Sequence, residues 1–394
     1  MPTSTQHDSS QARLLLLSAV LFVSYICVAI PMPVIPVFVT RSLGMNNVWG
    51  GLGVGIAFLT TIFTRGYAGN LADRRGAKLA VARGLIFYAC GAVISLAAGL
   101  LSMPRSAFLA LVAGRLMLGL GESLVGVGII SWGVGIVGPA RSGKVLALVG
   151  AAMYGALAVG GPLGLILLNH FGFSGTMAAS AVLPGVGLLA ISSIAGVAPH
   201  PHGKRPSFFS VVGRIWLHGL VVCLQGIGFA AIGAFFALDF LHNGWHYAGF
   251  GLTAFGGGFV LVRVLFGNLP DRMGGLRVAT VSLLIEAIGQ FLVWGAHDPA
   301  LAFAGAFLTG LGCSLVFPSM GREVVHLVEP HLRGSAMGGY AAFQDLAYGL
   351  TGPAAGLLAD HAGYGGVFLV GGIAAGAGLM VALYLRRTRV ATVG

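Results

Sequence analysis

Charged side chains are scarce in this chain of 394 residues. They make up 8% of it, whereas a soluble globular domain carries about 25%. Hydrophobic residues make up 57%, which is more apolar surface than a soluble fold of this length can bury. The scarcity of charge therefore excludes a soluble protein and indicates an integral membrane protein.

Cysteine is also scarce, and its spacing argues against two kinds of site. The four cysteines are Cys27, Cys90, Cys223 and Cys313, and all of them lie far apart inside apolar segments. This pattern fits small core residues and gives no disulfide framework and no metal-ligand spacing. The sequence therefore predicts no metal site.

Motifs for nucleotide binding and hydrolysis are missing as well. The chain has no Walker loop, which argues against an ATP-driven pump. Gly-x-Gly runs such as 119–121 lie inside apolar segments without a preceding strand, so they do not indicate a dinucleotide loop. We therefore expect neither an enzyme nor a bound cofactor.

Long apolar segments fill most of the chain. About 20 apolar residues are needed to cross the hydrocarbon core, and strict alternation of the barrel kind is absent. The sequence predicts an all-α membrane protein with twelve transmembrane helices. These spans are placed at roughly 14–38, 48–68, 79–101, 107–131, 145–169, 175–197, 211–240, 246–266, 278–297, 300–320, 335–359 and 365–385.

Basic residues are distributed unevenly between the two ends of these spans. With the N-terminus inside, Arg41 and Arg105 fall in outer loops, while Arg65, Arg115 and Arg263 fall within spans. The remaining 17 of the 22 Lys and Arg residues lie at the inner side, which predicts an inner-membrane protein with both termini in the cytoplasm. The net charge of +11 then faces anionic lipid headgroups, so no nucleic-acid partner is required.

A short phrase occurs twice, about 200 residues apart. Residues 65–76 read RGYAGNLADRRG, and residues 263–274 read RVLFGNLPDRMG. Two further matches follow in the same order in each half. GLGESLV at 119–125 corresponds to GLGCSLV at 310–316, and both halves carry a Gly-Pro pair in the next span. Spans two, four and five therefore correspond to spans eight, ten and eleven.

The repeat predicts two pseudo-symmetric six-helix halves, an architecture found in many secondary transporters. A polar, proline-rich segment separates the halves and indicates a cytoplasmic linker. The predicted organisation is a tail at 1–13, a first half at 14–197, the linker at 198–210, a second half at 211–386 and a tail at 387–394.

Three motifs of the first half resemble signatures of the major facilitator superfamily. GNLADRRGAK at 69–78 is similar to the loop signature between helices two and three, and RLMLGLG at 115–121 is similar to the helix-four arginine motif. GALAVGGPLG at 155–164 resembles the glycine–proline motif of drug and sugar exporters. The phrases RLMLGLGES, SLVFP and DLAYGLTGP resemble more closely the bacterial drug:proton antiporters described as arabinose-efflux-like permeases.

The resemblance implies a gate at the cytoplasmic side. The acids of the repeated phrase would cap helix N-termini in the opposite half, Asp73 on span eleven and Asp271 on span five, and so close that side. The remaining implied roles are gate contacts and helix bending by Gly-Pro pairs. The gate residues are Gly69, Asp73, Arg74, Gly76, Gly267, Asp271, Arg272 and Gly274, and the bending residues are Gly161, Pro162, Gly352 and Pro353.

Ionisable residues inside the spans are the functional candidates, because burying a charge in lipid is costly. Arg115 and Glu122 lie seven residues apart on span four, about 10 Å along the axis. This distance is too long for a direct bond between them, so each needs a partner on another helix, in water or in the solute. Glu122 has no acidic counterpart in the second half, where Cys313 replaces it. We predict that Glu122 exchanges a proton, with a structural interhelical hydrogen bond as the alternative.

Asp345 on span eleven is the second candidate for proton coupling, and binding of solute or pairing with Arg115 is its alternative role. Gln344 beside it and Gln225 in span seven complete a predicted solute cavity together with Arg115 and Glu122. Glu286 and Gln290 share one face of span nine, where interhelical hydrogen bonding is expected.

The predicted function is secondary transport by alternating access in a monomer. Proton-coupled efflux of a small polar or amphipathic solute is favoured, with the proton gradient in place of a cofactor. Proton-coupled uptake of a sugar or a similar metabolite is the first alternative. A membrane sensor or intramembrane enzyme on the same scaffold is the second.

Overall fold

The computed structural model describes residues 4–138, 141–198, 208–329 and 332–393, and the regular elements within them are helical. The α-helices are α1 (Ser4–Ala29), α2 (Pro31–Val37), α3 (Asn47–Arg75), α4 (Ala77–Ala98), α5 (Pro104–Val137), α6 (Ser142–Ser192), α7 (Phe208–His242), α8 (Phe250–Phe266), α9 (Leu269–Met273), α10 (Gly275–Trp294), α11 (Pro299–Leu327) and α12 (Arg333–Val393). A π-helical stretch, Phe38–Ser42, follows α2.

Glycine divides the two longest helices into two spans each. Gly172 in α6 and Gly363 in α12 have φ values of 66° and 76°, a region that glycine adopts without steric cost. Nine helices of the described chain are long and apolar enough to cross a membrane, two of them contain these breaks, and α8 is a shorter apolar helix. Twelve spans result, which confirms the predicted all-α membrane fold.

Several helices extend further than the predicted spans, whereas α8 begins later than predicted, at Phe250, and α10 ends earlier, at Trp294. α5 has 34 residues, for example, whereas the prediction gave 107–131. A hydropathy window detects only the stretch that matches the hydrocarbon core, so polar ends of a helix escape it. For the same reason α7 begins at Phe208, inside the predicted linker, and α1 and α12 reach into the predicted tails. Residues 199–207 of the linker lie outside the described residues.

The chain groups into two compact units. The first comprises Met1–Val34 and Thr60–His202, and the second comprises Ile35–Leu59 and Gly203–Gly394. Within the first unit α1 packs on α6, and α4 packs on α5 and α6; within the second, α7 packs on α12 and α10 on α11. Residues 35–59 group with the second unit, so the predicted boundaries of the halves stay a prediction.

In the first unit, α4 and α5 approach each other closely at glycines. A Cβ atom on Gly121 would lie 2.8 Å from the carbonyl oxygen of Gly84 and 3.1 Å from the backbone nitrogen of Tyr88. A Cβ on Gly91 would lie 2.7 Å from the carbonyl oxygen of Gly114. Small residues of this kind let transmembrane backbones meet.

In the second unit, α10 and α11 meet in the same way. A Cβ on Gly312 would lie 2.6 Å from the carbonyl oxygen of Ser282 and 2.5 Å from the backbone nitrogen of Glu286. A Cβ on Gly289 would lie 2.8 Å from the carbonyl oxygen of Gly305. The internal repeat therefore includes α4 and α10, and it aligns Tyr88 with Glu286.

Candidate functional site

Glu122 on α5 is bound by a tyrosine from another helix. The hydroxyl of Tyr25 on α1 donates a hydrogen bond to Glu122 Oε1 at 3.0 Å. Tyr25 is 5% exposed, and Oε2 of Glu122 is buried although the residue as a whole is half-buried. Hydrogen bonds to an ionised acceptor are stronger than neutral ones, so Tyr25 favours a carboxylate at this position.

Arg115 lies two turns before Glu122 on the same helix and is 1% exposed. It interacts electrostatically with Glu122, Cys27, Tyr25 and Tyr88. A buried cation needs a compensating anion, because an isolated charge in a medium of low dielectric constant is costly. Glu122 is the acid of this group, which we call the α1–α5 cluster: Tyr25, Cys27, Tyr88, Arg115 and Glu122.

The residue after Glu122 attaches α5 to α3. Ser123 Oγ donates to the carbonyl oxygen of Thr61 at 3.0 Å and accepts a hydrogen bond from Thr64 Oγ1 at 2.8 Å. These bonds fix the rotation of α5 about its axis, because Ser123 is buried and its partners lie on a neighbouring helix. The backbone that carries Glu122 is therefore held in place.

Two buried hydroxyl groups of the first unit have no hydrogen-bond partner among the described residues. They belong to Ser24, which precedes Tyr25 on α1, and to Tyr88 on α4. Both side chains are 0% exposed, and Tyr88 interacts electrostatically with Glu122 and Arg115. Unpaired buried hydroxyls are rare because each costs free energy, so these two are candidate contacts for water or for a polar solute.

The other predicted cavity residues lie in the second unit. Gln225 on α7 is 2% exposed and lies within hydrogen-bonding range of the Cys313 thiol on α11. Asp345 on α12 is 5% exposed, and its neighbour Gln344 is half-buried. The predicted site residues are thus interior residues, divided between the two units.

The first copy of the repeated phrase is mostly helical. α3 continues through Gly69, Asp73 and Arg74, and Gly76 alone separates it from α4. Gly76 has a φ of 96°, which an L side chain rarely adopts. The connection is therefore shorter than the predicted loop of a few residues, and Gly76 is the residue that makes the reversal possible.

Lysine at the end of this motif stabilises a neighbouring helix end. Lys78 Nζ donates to the carbonyl oxygens of Ser192 and Ile194, at 3.1 and 2.8 Å. The last carbonyl groups of a helix lack intrahelical partners, and a cation there also interacts favourably with the helix dipole. Lys78 thereby fixes the C-terminal end of α6.

The second copy of the phrase follows α8. Gly267 lies just beyond that helix, and Asp271 and Arg272 belong to the short α9. Gly274, with a φ of 89°, separates α9 from α10 and repeats the role of Gly76. The two copies therefore agree at the turn residue and differ before it, where α3 is continuous and α8 is interrupted.

Acidic side chains near this turn have partners within the second unit. Asp271 Oδ1 lies 3.6 Å from Arg322 Nε at an exposed position. Glu323, 4% exposed, accepts hydrogen bonds from the backbone nitrogen of Gly275 at 3.1 Å and from Arg322 Nη1 at 3.2 Å. Glu323 therefore caps α10. The capping roles predicted for Asp73 and Asp271 in the opposite half stay predictions.

The Gly-Pro pairs lie inside helices. Pro162 follows Gly161 in α6, and Pro353 follows Gly352 in α12. A Cβ on Gly352 would collide with the carbonyl group of Gly51 in α3. Proline removes a backbone donor and glycine permits close approach, so the Gly352-Pro353 pair combines a weakened helix with tight packing.

Tyr88 is the site residue that the sequence interpretation missed. The pairing of Tyr25 with Glu122 was not predicted either. The repeat held the missing signal, because the residue twelve positions after Gly76 is Tyr88 and the residue twelve positions after Gly274 is Glu286. Polar residues at equivalent depths of both halves would have drawn attention to α4 and α10.

Comparison with known proteins agrees with this architecture. The family model described as Major Facilitator Superfamily matches residues 17–221 and again residues 218–393. An uncharacterised MFS-type transporter of Salmonella typhimurium is 41% identical over 388 residues, which cover 98% of this chain and 100% of the relative. A transporter of the same description from Burkholderia pseudomallei is 40% identical over 386 residues, or 95% and 92% of the two chains.

A solved structure has the same fold. The crystal structure of a point mutant of the nucleoside transporter NupG superposes with a TM-score of 0.74 at 16% identity, over 95% of this chain and 99% of that one. Its fold, the two family matches and the relatives agree with the helices and the repeat described above. The chain belongs to the major facilitator superfamily and is therefore a membrane transporter and not an enzyme.

Proposed function

We propose that this chain is a proton-coupled exporter of a small polar or amphipathic solute, working by rocker-switch alternating access. The observation that carries the proposal is the hydrogen bond between Tyr25 and Glu122, inside a buried cluster that also contains Arg115. In this cluster Glu122 supplies a carboxyl group that can hold a proton, and Tyr25 supplies a donor that stabilises the ionised form. Arg115 supplies a cation that balances the charge.

Antiport follows if proton and solute compete for one carboxylate. Ionised Glu122 can accept hydrogen bonds from hydroxyl or ammonium groups of a solute, and protonation weakens its acceptor strength. A proton that arrives from one side then releases the solute, and loss of that proton restores the binding site. Tyr25 would hold the Glu122 side chain in one orientation throughout the exchange.

Symport is the second candidate, and Arg115 is the residue that favours it. Protonation of Glu122 removes the anion that balances Arg115, so an anionic group of a solute could take its place. Proton and solute would then bind together instead of competing. The class of solute distinguishes the two cases: hydroxyl or amine donors fit antiport, whereas a carboxylate or phosphate fits symport.

We further propose that the protein lies in the inner membrane with both termini in the cytoplasm and functions as a monomer. The distribution of Lys and Arg supports this orientation, since it follows the positive-inside rule. In this orientation the repeated phrases lie at the cytoplasmic side, where Asp73 and Asp271 would close the gate. Asp345 with Gln344 and Gln225 would line the solute path from the second half.

Solute flux through proteoliposomes tests the proposal. A thermal-shift screen of purified protein against sugars, nucleosides, amino acids and drugs first identifies a stabilising solute; nucleosides belong in the screen because a solved relative is named a nucleoside transporter. Flux of that solute is then measured with an imposed pH gradient. Movement opposite to the proton supports antiport, movement with the proton supports symport, and flux unaffected by the gradient contradicts proton coupling.

A further inference from the structure

Glu286 on α10 is a buried acid that the proposed mechanism does not use. Its side chain is 0% exposed, and neither carboxyl oxygen has a well-aligned hydrogen-bond partner among the described residues. The Cys313 thiol on α11 lies within hydrogen-bonding range of it, but a thiol is a weak donor. Nothing described around Glu286 therefore compensates a negative charge.

The surroundings of Glu286 are tightly packed. A Cβ on Gly228 of α7 would lie 2.7 Å from Glu286 Oε1, and one on Gly312 of α11 would lie 2.5 Å from the backbone nitrogen of Glu286. Gly228 thus leaves space that the Glu286 side chain fills, and Gly312 lets the α11 backbone approach the α10 backbone at Glu286. Such packing leaves little room for the water that an ionised carboxylate requires.

The adjacent amide fixes α10 against its neighbours. Gln290, one turn after Glu286 and also 0% exposed, donates from Nε2 to the carbonyl oxygen of Gly228 at 3.1 Å and to Thr309 Oγ1 at 3.4 Å. These bonds hold α7, α10 and α11 together around the carboxyl group. The interhelical hydrogen bonding expected for span nine is thus present for Gln290, whereas Glu286 has the weak Cys313 thiol of α11 within range.

The groups that face Glu286 and Gln290 from neighbouring helices are almost all uncharged. Cys313 is the titratable one among them, and it lies close to both Gln225 and Glu286. The set comprises Gly228 from α7, Thr309 and Cys313 from α11, and Gly371 from α12.

The internal repeat gives this acid a counterpart. Cys313 occupies the position that Glu122 has in the first unit, and Glu286 occupies the position of Tyr88. Tyr88 interacts electrostatically with Glu122, just as Glu286 contacts Cys313. Each of these two helix pairs therefore has one acid at the equivalent positions, on the second helix of the pair in the first unit and on the first helix in the second unit.

We propose that Glu286 is a second proton-binding site of the transporter. Its carboxyl group holds the proton as long as α7, α10 and α11 are packed together as in this structure. Loss of its proton would leave a charge among glycine backbones and an amide, so ionisation requires α7 to separate from α10 and α11. Glu286 thus links proton binding to packing within the second unit. This inference is independent of the role proposed for Glu122.

Infrared spectroscopy of the purified protein at neutral pH tests this site. A protonated carboxyl group gives a carbonyl band, distinct from the carboxylate bands, that shifts in deuterated water. We expect Glu286→Gln to abolish one component of this band. Glu323→Gln is the matched control, because Glu323 is also buried but accepts bonds from Arg322 and Gly275, and its replacement is expected to leave the Glu286 component in place. An unchanged band in Glu286→Gln would overturn the proposal.

A second variant keeps the test decisive if Glu286→Gln does not fold. Cys313→Ala removes the thiol near Glu286 but leaves the acid in place. We expect the Glu286 component of the carbonyl band to remain at full intensity and to move to higher frequency, because the thiol no longer interacts with it. Replacement of that component by carboxylate bands, or a spectrum identical to that of the wild type, would contradict the assigned site.

Discussion

Three interior glutamates of this transporter, two of them buried and Glu122 half-buried, have three different sets of partners. Glu122 accepts a hydrogen bond from Tyr25 and interacts with Arg115, and both contacts favour its ionised form. Glu323 accepts from Arg322 and from a helix N-terminus, which suits a structural residue. Glu286 has neither kind of donor among the described residues. The roles proposed for Glu122 and Glu286 therefore rest on these partners and not on burial alone.

Replacement of Tyr25 tests the environment of Glu122. Tyr25→Phe removes the hydroxyl that donates to Glu122 Oε1 and leaves the ring in place. Hydrogen bonds to charged groups contribute about 1.5–3 kcal/mol, so we expect roughly a tenfold or greater fall in flux driven by a pH gradient. Flux in proteoliposomes is the measurement.

Tyr67→Phe is the matched control for this substitution. Tyr67 on α3 is 50% exposed and lies outside the α1–α5 cluster. Its replacement is expected to leave gradient-driven flux at the wild-type rate. An equal loss of flux in both variants would show that the Tyr25 hydroxyl has no specific role.

At the scale of the helices, glycine determines where backbones meet and where they reverse. The same spacing of close contacts occurs between α4 and α5 and between α10 and α11. Chain reversal depends on single positions, Gly76 and Gly274, each with a positive φ. The close helix contacts and the chain reversals affect the stability and the geometry of the protein. Glycine substitutions can therefore be tested separately from the proton binding proposed for Glu122 and Glu286.

Two adjacent glycines of α8 differ in their surroundings, so their replacement by alanine is expected to change the stability of the protein in opposite directions. A Cβ on Gly258 would collide with the carbonyl oxygen of Phe307 in α11, whereas a Cβ on Gly257 would meet nothing within 4 Å. We expect Gly258→Ala to destabilise the protein by about 1–3 kcal/mol through overpacking. Gly257→Ala should be neutral or stabilising by up to about 1 kcal/mol, because alanine favours the helix. Thermal melting of the purified variants measures both, and equal melting temperatures would refute the close contact.

The turn between α3 and α4 gives a second test at this scale. Gly76→Ala places a side chain at a φ of 96°, and we expect a destabilisation of about 1–2 kcal/mol. Gly66→Ala lies ten residues earlier in α3, in a helical conformation with nothing within 4 Å of the added atom. It should melt at or above the wild-type temperature. A Gly76 variant as stable as the Gly66 variant would argue against this turn geometry.

At the scale of the whole molecule, the sequence predicted the spans and the family but not the pairing of side chains. Twelve apolar segments and the repeated phrase were sufficient for the fold, because hydropathy depends only on local composition. The hydrogen bond between Tyr25 and Glu122 joins residues 97 positions apart, and no local pattern records it. The length of the first turn was also missed, since helix and loop are both compatible with the composition of residues 65–76.

Orientation in the membrane is a prediction at this scale. Both termini are expected in the cytoplasm, because most Lys and Arg residues lie at one side of the spans. A C-terminal fusion to green fluorescent protein should therefore fluoresce, while a fusion to alkaline phosphatase should be inactive. The reverse pair of results would place the C-terminus outside and invert the proposed gate.

Proton coupling through Glu122 is tested most directly in proteoliposomes that contain the Glu122→Gln variant. Glutamine keeps the size and hydrogen-bonding capacity of the side chain but cannot release a proton. We predict that this variant still exchanges solute across the membrane, but only at higher solute concentrations than the wild type because the neutral amide is a weaker acceptor, while a pH gradient no longer drives net movement. Gradient-driven movement at the wild-type rate in Glu122→Gln would contradict the assignment of Glu122 as the proton carrier.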